Sequence, residues 1–260
     1  MTRTRVLIAI GVVAAAVVGV AAFVLWPRGT SEVSRDDALE DFRERGTTGS
    51  EPAPEGSDLP APGVYEFAAS GQEVVKLGPL PAQTRPLSDR ITAVVVDAGD
   101  GCFEWTVNLF VEHTEDTRFC VDDGVLRLDE HVKHQQIAAL SPTGTMTCDP
   151  DVLRDGEADE LDLECTLSID GGPAAIEASL AGTATVGEAG TVDVGGEAVA
   201  ATPVTVRYDV SGDLTGTWEE TTWWSESHLP LRIERSLDLS GLASFTEDSE
   251  LTITSLEPST

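Results

Sequence analysis

The chain has 260 residues, 41% of them hydrophobic and 24% charged, and a formal net charge of −30 at pH 7. The first 28 residues hold three arginines and no acid, which leaves 13 basic and 46 acidic side chains, a formal charge of −33, on residues 29–260. A surface of that sign repels nucleic acid and anionic lipid, and both are excluded as partners.

"VLIAIGVVAAAVVGVAAFVLW", Val6 to Trp26, contains no charge. As a helix it spans roughly 30 Å, the thickness of a bilayer's hydrocarbon. Trp26 closes it where interfacial aromatics settle, and Pro27 stops it. The rival reading is a signal peptide cleaved near Val20–Ala22, but the apolar run continues through Phe23, Val24, Leu25 and Trp26, which favours a retained anchor. No cysteine follows closely, so a lipid-modified N-terminus is excluded. Arg3 and Arg5 precede the span and only Arg28 follows it closely, which places the N-terminus in the cytoplasm and the rest outside the cell membrane. Residues 1–28 are thus a cytoplasmic tip and transmembrane anchor. In 29–45, "SRDDALEDFRER" reads as one short juxtamembrane helix capped by Ser34, with Ala38, Leu39 and Phe42 on one face. Residues 46–62, rich in Pro, Gly, Ser and acid, read as a solvated linker.

From Gly63 to the C-terminus the hydrophobic period is two. "CFEWTVNLFVEH" sets Phe103, Trp105, Val107, Leu109 and Val111 on one face, with Phe110 as the exception. "TVDVGGEAVAATPVTVRYDV" predicts a hairpin turning at Gly195-Gly196, and "VRYDVSGDLTGTWEETTWW" predicts another turning through Ser211 to Gly216. About ten strands, with one short helical turn near Ala174–Leu180, predict a single mainly-β domain over 63–260: an antiparallel, strongly curved sheet or half-open barrel.

All four cysteines follow the span, as an oxidising compartment allows. If the turn after "TMTCDP" centres on Gly156 and Glu157, Cys148 falls opposite Cys165, where a disulfide can close. That leaves Cys102 with Cys120. A hairpin turning at Glu115 would set Cys102 opposite Leu128, so this second pair requires a bend. No C-x-x-C spacing suggests zinc or redox chemistry.

"TWEETTWWSESHLPLRIERSLDLSG", residues 217–241, holds three of the five tryptophans. Strand alternation sends Trp218 and Trp224 to one wall and Trp223 to the other. Trp218, Trp223 and Trp224, with Trp105 and Phe103, are the candidate lining of an apolar ligand site; for each of them ordinary core packing is the competing reading.

Other motifs yield little. Asp209, Ser211, Asp213 and Glu220 fit positions of a calcium loop, but Leu214 stands where glycine is required and the flanks are strands. The acid-rich run Asp149–Glu164 suits a solvated loop better than a cation site. His131 and His134 fall on opposite strand faces, which suits no metal pair. G-x-S-x-G, H-E-x-x-H and phosphate-cradling glycine loops are missing, so no catalytic residue, metal or cofactor is assigned.

"GTWEETTWWSESHLPLRIERSLDLSG" resembles the strand-turn-strand of the LolA-like and LprG/LppX-like lipoprotein carriers, with Trp224 as the strand tryptophan, Ser225–His228 as the turn and Leu229-Pro230-Leu231-Arg232 as the return. "VDVGGEAVAATPVTVRY" is similar to a hairpin of related envelope domains. The frame over residues 63–258 resembles a group of uncharacterised membrane-anchored bacterial envelope proteins. The carrier resemblance implies a half-open curved sheet whose concave face shelters an acyl chain, although the carriers' closing helices and lipidated cysteine have no counterpart here.

Taken together, the sequence predicts a non-enzymatic, membrane-tethered extracytoplasmic domain that binds a lipid or other apolar ligand, or an envelope protein. The alternatives are an interaction or sensor module without an internal ligand, and an envelope hydrolase or calcium-dependent protein.

Overall fold

The computed structural model describes residues 30–46, 58–78, 81–137, 139–172 and 174–260. The span expected at 6–26 and most of the linker, 47–57, lie outside the described residues. No helix among the described residues is long and apolar enough to cross a membrane.

Among the described residues one helix, α1 (Arg35–Gly46), precedes fifteen strands. These are β1 (Gly63–Leu77), β2 (Gln83–Pro86), β3 (Arg90–Gly99), β4 (Cys102–Phe110), β5 (His113–Asp122), β6 (Val125–Gln135), β7 (Thr143–Cys148) and β8 (Val152–Arg154). They continue with β9 (Glu160–Asp170), β10 (Ile176–Val186), β11 (Gly190–Val194), β12 (Glu197–Gly212), β13 (Thr215–Trp224), β14 (Pro230–Ser240) and β15 (Ala243–Ile253). Every pairing is antiparallel.

The sheet closes on itself. β10 pairs with β12 from Ala178↔Gly212 to Val186↔Val204, joining the two ends of the path β10-β9-β7-β6-β5-β4-β3-β1-β15-β14-β13-β12 into a twelve-stranded barrel. The half-open barrel of the sequence reading is therefore corrected to a closed one. The strands that alternation failed to register are β2 and β8, short appendages that pair β1 and β6; β11, also off the ring, is the first strand of the hairpin expected at Gly195-Gly196. The helical turn expected near Ala174–Leu180 is also corrected, because Ile176 begins the strand that makes the closure.

Both disulfides join directly opposed strand residues, Cys102 with Cys120 and Cys148 with Cys165. The bend expected for the first is not needed. The β4–β5 hairpin turns at Val111–Glu112 instead of Glu115, and a bulge between Asn108 and Phe110 takes up the odd residue. That bulge also lets both Leu109 and Phe110 be buried, which explains why Phe110 breaks the alternation. The hairpin at Gly195-Gly196 forms as expected, with φ of 62° and 94° at the two glycines.

α1 packs across the outside of the barrel. Ala38 is buried against Val64, Val94 and Val96, flanked by Val33, Leu39 and Phe42. Arg45 donates to Thr106 Oγ1 at 2.7 Å and pairs with Asp116, and Arg35 bonds Ser259 near the C-terminus.

The odd-numbered residues of β1 point inward, and the registers carry this assignment around the ring. The two rims follow from it. At one rim lie the connections β1–β3, β4–β5, β6–β7, β9–β10, β12–β13 and β14–β15; at the other lie β3–β4, β5–β6, β7–β9, β10–β12 and β13–β14. The interior near the second rim is solid. Phe67 meets Trp105 edge-on at 5.7 Å, Phe103 meets Phe119 at 5.5 Å, and Phe119 meets Trp224 edge-on at 5.0 Å. β8 lends Leu153 to this core.

The wall is tight at Gly182, which faces inward opposite Tyr208. A Cβ there would come within 2.4 Å of the Tyr208 ring and of the Arg207 carbonyl oxygen. Gly182→Ala is expected to destabilise the folded chain by about 1–3 kcal/mol, as overpacking does. The check is the urea unfolding midpoint of the oxidised protein; an unchanged midpoint contradicts the packing described.

Candidate functional site

The inward residues of β5 read His113, Glu115, Thr117, Phe119, so this strand turns from charged to apolar as it descends from the first rim. Its outward residues at the same levels, Thr114, Asp116 and Arg118, are polar too. Comparable inward charges come from Glu73 (β1), Arg85 (β2), Lys133 (β6), Glu220 (β13), Arg235 (β14) and Glu247 (β15). Barrel closure places these side chains in one cluster inside the wall.

The cluster is almost completely paired. Glu115 accepts from Arg235 Nη1 at 2.7 Å, from Lys133 Nζ at 2.8 Å and from His113 Nε2 at 3.0 Å. Arg235 also reaches Glu220 at 2.8 Å and Glu247 at 3.2 Å. Lys133 reaches Glu247 at 3.3 Å, and Ser249 Oγ donates to Glu247 at 2.9 Å. His113 Nδ1 stands 2.7 Å from Glu73, which also pairs with Arg85.

His113 has a carboxylate on each ring nitrogen. Carboxylates only accept, so satisfying both contacts requires both nitrogens to donate, which is the imidazolium form. Burial alone would lower the His113 pKa, and Lys133 adds to that, but Glu73 and Glu115 prevail and hold it above the ordinary value. With His113 charged, four carboxylates face four cations. Burial by itself would raise Glu115, yet Arg235 and Lys133 hold it well below the usual carboxylate range; Lys133 and Arg235 also lower Glu247 against the effect of its burial. Lys133 is raised and Arg235 well raised against the effect of burial by the same carboxylates. Six of these eight groups are buried, and Lys133 and Glu220 are half-buried. Burying charge costs several kcal/mol per ion unless the pairing is close to complete, so loss of a partner within the buried six is costly.

Above the cluster, toward the first rim, the interior is apolar and not filled. A cavity of about 160 Å³ is lined by Leu167, Leu180, Val210, Leu237, Leu239 and Phe245, among others. Lys133 Nζ lies 4.4 Å from the centroid of the Phe245 ring, and both residues line the chamber where it borders the charges. His131 and Trp218, with ring centroids 5.5 Å apart, border this chamber and also a smaller void of about 60 Å³ among Thr117, Thr222 and Trp224. They form the partition between the two. Burial lowers the His131 pKa, and Thr117 Oγ1 lies 2.9 Å from its Nδ1.

The expected site residues separate. Trp218 lines the chamber. Trp224, Trp105 and Phe103 belong to the solid half, where Trp105 and Trp224 border the smaller void. Trp223 is on the outer wall, half-buried and 4.9 Å from the Arg232 guanidinium, and lines neither the chamber nor the smaller void. The two walls for the tryptophans were thus correctly read, but only one tryptophan reaches the chamber. His131 points inward and His134 outward, as their spacing requires. Glu220 turns inward to Arg235, whereas Asp209 is exposed on β12 and Asp213 accepts from the Glu177 amide, so the calcium-loop positions do not converge. Among the described residues no three His, Cys, Asp or Glu side chains are grouped to hold a metal ion.

The sequence reading missed the charged cluster and most of the chamber lining. The available signal was the run "HTEDTRF", polar on both strand faces in a segment that must nevertheless border the core.

In class, then, the molecule is a closed twelve-stranded antiparallel barrel, solid at one end and chambered at the other. No protein-family model and no curated protein matches the chain. A solved structure of the hypothetical lipoprotein YmcC from Escherichia coli K12 is similar at 14% identity and a TM-score of 0.40, covering 84% of this chain and 97% of that one. The superposition is too loose for fold or function to be carried across.

The caged His113 gives a pH dependence. A pKa raised by folding contributes stability that is fully present below the ordinary imidazole value of about 6.5 and is lost as pH rises through the folded value. The stability difference between the native chain and His113→Gln is therefore expected to shrink as pH is raised from about 6 to about 9. Urea unfolding across that range checks this, and a constant difference would show that His113 is not an imidazolium.

Proposed function

We propose that this protein is a non-enzymatic, membrane-tethered, extracytoplasmic barrel that shelters an apolar ligand in the chamber at its first rim. The observation that carries the reading is the chamber itself: an unfilled apolar space in a barrel whose other half is packed with aromatic side chains around a void of only about 60 Å³. Natural interiors are close-packed, and a void of this size forfeits stability unless something occupies it.

Its volume limits the ligand. Dry apolar cavities of about 150 Å³ accept a molecule the size of benzene. The buried part of the ligand is accordingly no bulkier than one aromatic ring or a short aliphatic segment, and a complete acyl chain is too large. Each charged side chain of the cluster is engaged by an opposite charge, so the reading assigns the chamber no ionic anchor; affinity comes from apolar burial.

Gly144, on β7, offers the test. It borders the chamber, its φ is unremarkable, and a Cβ there would make ordinary contacts of 3.5 and 3.6 Å with Leu167 and Ile169. Gly144→Val therefore takes up chamber space without straining the wall. Titrated with the fluorescent probe N-phenyl-1-naphthylamine, the variant is expected to bind at least about tenfold more weakly than the native chain, a loss of about 1.4 kcal/mol. Native mass spectrometry of protein purified gently from its host gives a second readout. Failure of the native chain to bind the probe, together with no co-purifying apolar molecule, rejects the proposal.

A further inference from the structure

The geometry points to an orientation: on the proposed reading that the apolar run Val6–Trp26 anchors the chain in a bilayer, we infer that the chambered rim faces that bilayer, so that the chamber opens toward the lipid surface. This rests on where the chain joins the barrel and stands whether or not the chamber takes a ligand.

Ser31 is fixed to the first rim. Its carbonyl oxygen accepts from the Val111 amide at 2.8 Å, and its own amide donates to Glu112 Oε2 at 2.8 Å. Val111 and Glu112 form the β4–β5 turn, and the Glu112 carbonyl accepts from Gln136 at the top of β6 at 2.7 Å. Gln135, Ile137, Leu140 and Pro142, which follow there, line the chamber. α1 then clamps the segment against the outer wall, so Ser31 cannot swing free.

The apolar run ends at Trp26, five residues before Ser31. Five residues reach at most about 17 Å when fully extended. Strands of about ten residues tilted by about 40° make a barrel roughly 25 Å tall. A tether this short, leaving from the first rim, cannot let the opposite rim rest on the membrane while the chambered one points away.

Charge is distributed in the same sense. The connections at the chambered rim contain three acids, Asp89, Glu112 and Asp213. At the far rim the β7–β9 connection alone contains Asp149, Asp151, Asp155, Glu157 and Asp159. The end repelled most strongly by lipid phosphates is the end held farthest from them. The turns of the chambered rim also carry two of the exposed large hydrophobic side chains, Leu242 at 65% and Val111 at 59% exposure. The partner of this rim is thus the surface of a bilayer poor in anionic lipid.

The full chain, reconstituted in phosphatidylcholine vesicles containing lipids with a nitroxide on the headgroup, tests the orientation. A fluorophore is attached through Leu242→Cys on the chambered rim or through Glu226→Cys, the exposed residue of the β13–β14 turn at the far rim. Loss of fluorescence for the first label, with little loss for the second, is expected. Equal loss at both sites, or greater loss at the far rim, overturns the inference. So does a chain that fails to float with the vesicles, since the anchor is its premise. The probe titration of Gly144→Val gives its answer independently, so failure of the binding proposal and failure of the orientation are told apart.

Discussion

The pairing of β10 with β12 is the contact on which the remainder depends. Nine residue pairs join strands that would otherwise be the two free edges of a long sheet. Closure satisfies both edges and gives the molecule an inside, which no single sheet of alternating residues possesses. Gly182 and Ala184 lie on the inner face of this seam, where larger side chains would hold the edges apart.

An enclosed interior changes what the inward residues must do. On an open curved sheet Glu115, Arg235 and Glu247 would face water and need no partners. Inside a barrel each must find an opposite charge, and the ring brings together residues as distant in sequence as Glu73, His113 and Arg235. The resulting cluster is costly to bury and intolerant of substitution, and it sets the floor of the apolar chamber. The solid aromatic half and the chambered half are therefore distinct in chemistry as well as in packing.

The two ends differ in the same way outside. The chain enters beside the chamber, and the densest acidic connection lies at the opposite rim. Under the proposed anchoring, attachment at Ser31 holds a rigid body at one end only and gives the barrel a polarity that neither composition nor net charge could supply.

Local chemistry decided much in advance. Two-residue alternation made residues from Gly63 onward a sheet, Gly195-Gly196 made a hairpin, Ser34 and the acids after it started a helix, and "TWEETTWW" divided its tryptophans between two walls. These depend on neighbours within a few residues, so the sequence alone determined them. Closure of the ring, the bulge that aligned Cys102 with Cys120, the charged cluster and the chamber depend on contacts between separate segments, some as distant in sequence as Phe67 and Ile253, which pair across β1 and β15. Along β5, where both faces are polar, alternation cannot tell a buried carboxylate from a solvated one. Only the tertiary structure could decide that Glu115 is inside, because the reason lies in Lys133 and Arg235, on two other strands.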